Sequence, residues 1–192
     1  SFPPQRDVQR MVSGFLSPSV EKAAYPDEFR DDLVSMGYRL DPNPKLGHRE
    51  DKTEFVEDVN EVLDRRFEAF QRYVRADDWD LFFGVFMSTD RVNHFLWRDY
   101  EHDGEYRDAF LEFYDALDDY VGRLRDELDD DVTLIVASDH GFTELHHEVH
   151  LNAWLREQGW LDFQTADHED LADVSDDTRA YSLIPGRFYL NL

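Results

Sequence analysis

The chain has 192 residues, 41% of them hydrophobic and 15% aromatic, which is enough apolar material for a real core and excludes a disordered chain. Its 44 acidic residues outnumber 20 basic ones, for a net charge of -24, so no basic stripe exists to displace counterions from phosphates, and both nucleic acid and an anionic membrane surface are excluded as partners. Cysteine is absent, which removes disulfides and thiolate metal sites, and no apolar run approaches the ~20 residues of a membrane-spanning helix.

Only Lys22, Lys45 and Lys52 among the basic residues are lysines. An acidic, lysine-poor surface holds water and stays soluble where salt screens its self-repulsion, so the charge predicts a halophilic source and a cytoplasmic location. The opening "SFPPQRD" resembles neither a native start nor a signal peptide, which predicts that the chain is a piece of something longer.

Residues 1–25 are rich in Pro, Ser and Gly and are expected to lie outside the regular sheet, anchored by Met11, Val12, Phe15 and Leu16. Pro26 opens a short helix to about Met36, with Gly37 as its stop, and "DPNPKLG" (41–47) is a loop. A long helix follows over about 51–75, where Phe55, Val59, Leu63, Phe67, Phe70 and Val74 recur at three- and four-residue steps. "DLFFGVFMS" (80–88) is a continuous apolar run of the kind found in strands buried on both faces. A second long helix spans about 105–128 with the stripe Tyr106, Phe110, Phe113, Leu117, Val121 and Leu124, and "VTLIVAS" (132–138) is a second buried strand. "HLNAWLREQGWL" (150–161) is a short amphipathic helix, capped by Asn152 and ended by Gly159. "GRFYLNL" (186–192) is a last strand running to the chain end, which again predicts a truncated domain.

Helix, strand, helix, strand predicts an α/β fold with a largely parallel sheet flanked by helices. The expected organisation is one partial domain. It comprises an irregular segment with a short helix over 1–49, a helix–strand–helix–strand core over 50–145, and a helix with a terminal strand over 146–192.

Both apolar runs end in an acid and a histidine: "MSTDRVNH" places Asp90 and His94 past the first, and "ASDHG" places Asp139 and His140 past the second. In parallel α/β sheets ligands bind at the carboxyl ends of the strands. If the two strands are parallel, the four residues converge on one edge. Two carboxylates and two imidazoles suit a divalent metal, zinc first, with manganese or iron as alternatives. Each residue alone has a plainer reading, as a helix cap or a surface histidine; the recurrence of the pair after two buried runs favours the metal.

"VTLIVASDHGF", followed ten residues on by "NAWLREQGWL", resembles the type I phosphodiesterase/nucleotide pyrophosphatase group of the alkaline phosphatase superfamily, and within it the archaeal and bacterial phosphohydrolases. "FMSTDRVNHFLW" is similar to that family's Asp-x-x-x-His element, "FPPQRDVQRMVSGFLSPS" to the segment after its "YPP" turn, and "TRAYSLIPGRFYLNL" to the segment before its Gly-Arg-Glu-Pro element. The resemblance touches nearly the whole chain. It implies an alkaline-phosphatase-like core and two metal sites, usually zinc. Asp139 and His140 would hold the metal that activates the nucleophile; Asp90 and His94 would hold the second metal, on a substrate phosphoryl oxygen. Two such metals clamp the attacking and leaving oxygens of an in-line displacement. The implied substrate is a small-molecule phosphate ester or nucleotide, cleaved through a covalent phospho-enzyme on Thr or Ser.

The family's early Asp and its Thr or Ser nucleophile normally lie upstream of the "FPP" segment, and its late metal-binding histidine lies beyond the Gly-Arg-Glu-Pro element. Neither has a counterpart between Ser1 and Leu192. The implied expectations are that this fragment does not turn over substrate and that its metal sites are incomplete, so that metal binding by the fragment is weak or absent. A phosphomutase or sulfatase branch of the superfamily, and a non-catalytic metal-binding domain, are the alternatives. Ser88 and Thr89 read as strand-end polar residues, and Arg91 and Arg98 as partners of surface carboxylates. His146, His147 and His150 read as a solvated loop. Asn93, Trp97 and His150 are candidates for the pocket lining, although Trp97, like Phe95, reads more readily as core. An incomplete sheet also predicts self-association through an exposed strand edge.

Overall fold

Apolar residues at three- and four-residue steps give a helix one oily face, and three such faces make a core. The computed structural model describes residues 3–14, 16–76, 78–165, 171–184 and 186–191. In it β1 (Met11–Val12), α1 (Val20–Ala23), β2 (Ala24–Tyr25), α2 (Asp27–Ser35) and α3 (Pro44–Gly47) lead into the long α4 (Thr53–Val74). α5 (Ser88–Glu101), α6 (Arg107–Arg125) and α7 (Leu151–Glu157) follow, then a 3-10 turn (Leu171–Asp173), β3 (Ala180–Tyr181) and β4 (Tyr189–Leu190). The chain forms two units, residues 1–144 and residues 145–192.

In the first unit, Phe55, Val59 and Leu63 of α4 meet Val92 and Leu96 of α5 and Phe110 and Phe113 of α6 in one buried cluster. Phe67 and Tyr120 extend the α4–α6 seam, their rings stacked at 4.1 Å. Under α4, a second cluster joins Ala24, Leu33, Tyr38 and Ala69. Gly47 of α3 lets Phe95 of α5 come close: a Cβ there would land on the Phe95 ring. In the second unit Leu155, Leu161 and Ala180 form a small core of their own.

The expected helices at 26–36, 51–75 and 105–128 are present with trimmed ends. Gly37, at a φ of +69°, and Gly159, at +72°, follow α2 and α7 as their expected stops. Leu16, expected as an anchor, is exposed, while Phe15 and Leu192 lie outside the described residues. Residues 1–25 do carry a ladder, Met11 opposite Tyr25 and Val12 opposite Ala24, and the 41–47 loop contains α3, which Asn43 caps by accepting from the Lys45 amide. Asn152 does not cap α7. Its amide instead exchanges two 2.7 Å hydrogen bonds with the Ser182 backbone, tying α7 to the segment after β3.

The largest correction concerns the sheet. Among the described residues both ladders, β1–β2 and β3–β4, are two-stranded and antiparallel, and no parallel sheet is formed. Neither 80–88 nor 132–138 pairs as a strand, and a helix, α5, already begins at Ser88. An apolar run becomes a strand only when a neighbour takes its backbone hydrogen bonds, and no ladder reaches these two. The first run still alternates. Phe82 and Phe86 turn inward onto Phe70, with centroids at 5.8 and 5.1 Å, whereas Phe83 is 83% exposed. The second run is bare, with Ile135 80% exposed.

Candidate functional site

The site begins at the amino end of α5. Asp90 stands in its first turn, where a carboxylate complements the positive end of the helix dipole. Four residues on, His94 lies on the same face, and Arg98 and His102 continue that row. The opposite face carries Val92 and Leu96 into the core, so packing decides the rotation of the helix and hence the direction of Asp90. Asp90 is 20% exposed.

The segment 139–144 lies along this row in register. Next to Asp90 it places His140; beside His94 and Trp97 it places Phe142, at ring separations of 5.0 and 6.2 Å. Near the last turn Glu144 meets His102, 3.1 Å from Nε2, and Arg98, 3.7 Å from Nε. Alternate residues of the strap thus face the helix, as extended backbone dictates.

The four expected metal residues are consequently neighbours. From Asp90 Oδ1 it is 3.4 Å to His94 Nε2 and 3.9 Å to His140 Nε2, and from His140 Nε2 it is 3.8 Å to Asp139 Oδ1. Two donors on one zinc ion at ~2.1 Å with tetrahedral angles stand about 3.4 Å apart, which the Asp90–His94 pair matches; among the described residues the four do not close into one group of mutually near ligand atoms. His140 Nδ1 lies 3.1 Å from the Gly141 carbonyl oxygen, which can only accept, so Nδ1 carries the proton. With the proton on Nδ1, Nε2 is the acceptor near two carboxylate oxygens, where a bound cation or a second ring proton would relieve the repulsion. The histidines and Asp139 are exposed, so the site opens to solvent rather than lying at a buried strand end.

Behind Asp90 stands a support that the sequence did not single out. Asp41 receives both arms of the Arg91 guanidinium, with Nε 3.1 Å from each of its oxygens and Nη2 2.6 Å from Oδ2. Arg91 Nη1 reaches Asp90 Oδ2 at 3.3 Å. The Asp41 hydrogen bonds, with the charges of Asp41 and Asp90, raise the Arg91 pKa further above its ordinary value. Buried Arg66 braces both approaches: it donates to the Arg39 and Leu40 carbonyls, at 3.1 and 2.8 Å, and to the Val85 carbonyl at 2.7 Å. The clue to Asp41 was its place at the head of the "DPNP" turn; Arg66 gave none, since its position in the helix reads as an ordinary charged residue.

Other candidates fall elsewhere. Asn93 is buried and donates to the Thr89 carbonyl at 2.9 Å and to the Tyr114 hydroxyl at 2.7 Å, so it joins α5 to α6 rather than facing His94. Trp97 packs between Tyr100, Phe110 and Phe142. His150 belongs to the second unit, where it precedes α7 and is exposed, as are His146 and His147. Among nearby hydroxyls, Thr89 donates to the Phe86 carbonyl at 2.8 Å and Ser138 to the His140 carbonyl at 2.6 Å, while Ser88 is buried. Arg98 does meet a carboxylate, as expected, that of Glu144. Among the described residues it is Glu101, His102 and Glu144 that bring three ligand atoms within 4.8 Å of one another, with Glu144 there engaged by His102 and Arg98.

The model of one family, type I phosphodiesterase / nucleotide pyrophosphatase, matches residues 8–188. The chain belongs to that family. Searches of curated proteins and of solved structures return no match. Membership makes a phosphoester hydrolase the kind of activity to which this type I phosphodiesterase domain belongs, implies an alkaline-phosphatase-like α/β fold, and brings a family that is typically metal-dependent and acts on small-molecule phosphate esters. Among the described residues, no helix is long and apolar enough to cross a membrane.

Proposed function

We propose that this chain is the metal-binding portion of a phosphohydrolase that cleaves phosphodiesters or nucleotide pyrophosphates with two divalent metals, zinc or manganese. The observation that carries the reading is that the Asp90–His94 and Asp139–His140 pairs are neighbours, with His140 Nε2 3.9 Å from Asp90 Oδ1 and 3.8 Å from Asp139 Oδ1. When bound, such metals supply Lewis acidity toward phosphoryl oxygens. The residues themselves hold and orient. Asp90 and His94 approach from a helix whose rotation the core decides; Asp139 and His140 approach from the strap. His140 keeps its proton on Nδ1, against the Gly141 carbonyl, and so presents Nε2 as a donor. The nearby hydroxyls of Thr89 and Ser138 are hydrogen-bonded to backbone, so no nucleophile is assigned among these residues, and we expect no turnover from this chain alone.

The test is elemental analysis of zinc and manganese after purification in high salt, with Asp90→Ala and His140→Ala beside the parent. Metal that binds the chain is expected to be lost in both variants. Equal metal in all three proteins, or none in the full-length enzyme, would overturn the reading of the site. Exposed Leu81, Phe83 and Val85, with exposed Leu134, Ile135 and Val136, support a second proposal, self-association of the chain through unpaired extended backbone. A concentration-independent monomer mass by sedimentation would refute it.

A further inference from the structure

We infer that Asp41 and Arg91 are positioning residues for the cation: Arg91, pinned by Asp41, takes the Oδ2 oxygen of Asp90 and leaves Oδ1 to the metal that it would hold with His94. The inference rests on the metal reading of Asp90.

Three observations carry it. The division of Asp90 is explicit, with Oδ2 at 3.3 Å from Arg91 Nη1, whereas Oδ1 faces His94 at 3.4 Å and His140 at 3.9 Å. Arg91 cannot swing toward another oxygen at low cost, because Nε and Nη2 are both spent on the carboxylate of Asp41. All three side chains are largely buried, at 17, 17 and 20% exposure, so water screens these pairs less than it would on an open surface. A planar guanidinium can bridge two carboxylates in one fixed plane, and an ammonium cannot, which makes the arginine itself part of the geometry. Metal-ligating carboxylates generally need such outer partners, and losing one costs about ten-fold or more in metal affinity. Asp41 lies about fifty residues away in sequence from Arg91, in a turn whose preceding carbonyls Arg66 holds. The fold therefore contributes a distant acid to the aim of a metal ligand.

The experiment titrates the whole chain with cobalt(II) and follows both affinity and the visible ligand-field spectrum, for the parent, Asp41→Asn, Arg91→Lys and Asp90→Ala. Asp41→Asn and Arg91→Lys are expected to keep helical circular dichroism, weaken cobalt binding about ten-fold and alter the spectrum, because Asp90 is no longer held in one orientation. Arg91→Gln, which keeps one donor toward Asp90, gives the same reading should Asp41→Asn unfold. Parent-like affinity and spectra in the Asp41 and Arg91 variants, with binding lost in Asp90→Ala, would overturn the positioning role and leave the site standing. Equal cobalt binding in the parent and Asp90→Ala would sink the site, and the inference with it.

Discussion

Two segments supply the four proposed ligands, and they are held in opposite ways. Asp90 and His94 ride on a helix whose inner face is locked between α4 and α6, with Leu96 1% exposed. Asp139 and His140 ride on a strap attached through Phe142 and Glu144, after an apolar run that touches little, and Asp139 is 91% exposed. One half of the site is thus prearranged by the core. The other half can be displaced without unfolding anything, since local opening costs least where few apolar contacts are buried. Preorganisation on one side and adaptability on the other is a workable arrangement for a site that must admit metal and substrate from solvent.

The sharpest way to break this contrast is a pair of core-size substitutions. Leu96→Ala is expected to cost about 2–5 kcal/mol, the range for emptying a buried leucine site, whereas Ile135→Ser should stay within about 0.5 kcal/mol. Urea unfolding followed by circular dichroism measures both, and equal losses would mean that residue 135 is covered in solution. Next in size, Phe142→Ala is expected to lower zinc affinity several-fold while leaving the urea midpoint almost unchanged, since the ring fastens the strap to His94 and Trp97 rather than filling the core. An unchanged zinc titration would show that the strap needs no such fastening. Smaller again, Glu144→Gln should raise hydrogen exchange in residues 139–144 but not in α5, because an exposed pair such as Glu144–His102 contributes little.

The smallest expected effect lies in alkali, within the helical body. Burial, reinforced by a hydrogen bond to Asp32, pushes Tyr73 up to about 12, and burial with Asp64 does the same for Tyr120. The unfolded chain loses these protons near the ordinary 10.0, so between pH 10 and 12 the folded state binds more protons than the unfolded one. Stability is therefore full below pH 10 and falls as pH rises toward 12. Burial raises Tyr38 and Tyr114 as well, so ultraviolet titration should find several late phenols, and Tyr73→Phe and Tyr120→Phe should each remove one.

The periodic stripes at 53–74 and 107–125 were legible because six or so apolar residues at helical spacing admit few other readings. The stripe of α5 was harder to see. Val92 and Leu96 are its only residues in the main core cluster, and the DxxxH element drew the reading toward a strand end rather than a helix. That Asp90 and His94 share a face with i,i+4 spacing was nevertheless visible once a helix is allowed there.

By itself the amino-acid sequence determined the chemistry on offer: which acids and histidines exist, at what spacing, beside which apolar runs, and the family they mark. Side-chain identity and local periodicity are properties of the chain that need no partner. Only the tertiary structure decided that the runs at 80–88 and 132–138 stay unladdered, that Asp139 and His140 are exposed, and that Asp41 stands behind Arg91. Each of those depends on which distant segment arrives to take a hydrogen bond or a charge, and a strand or an ion pair has no existence until its partner is in place.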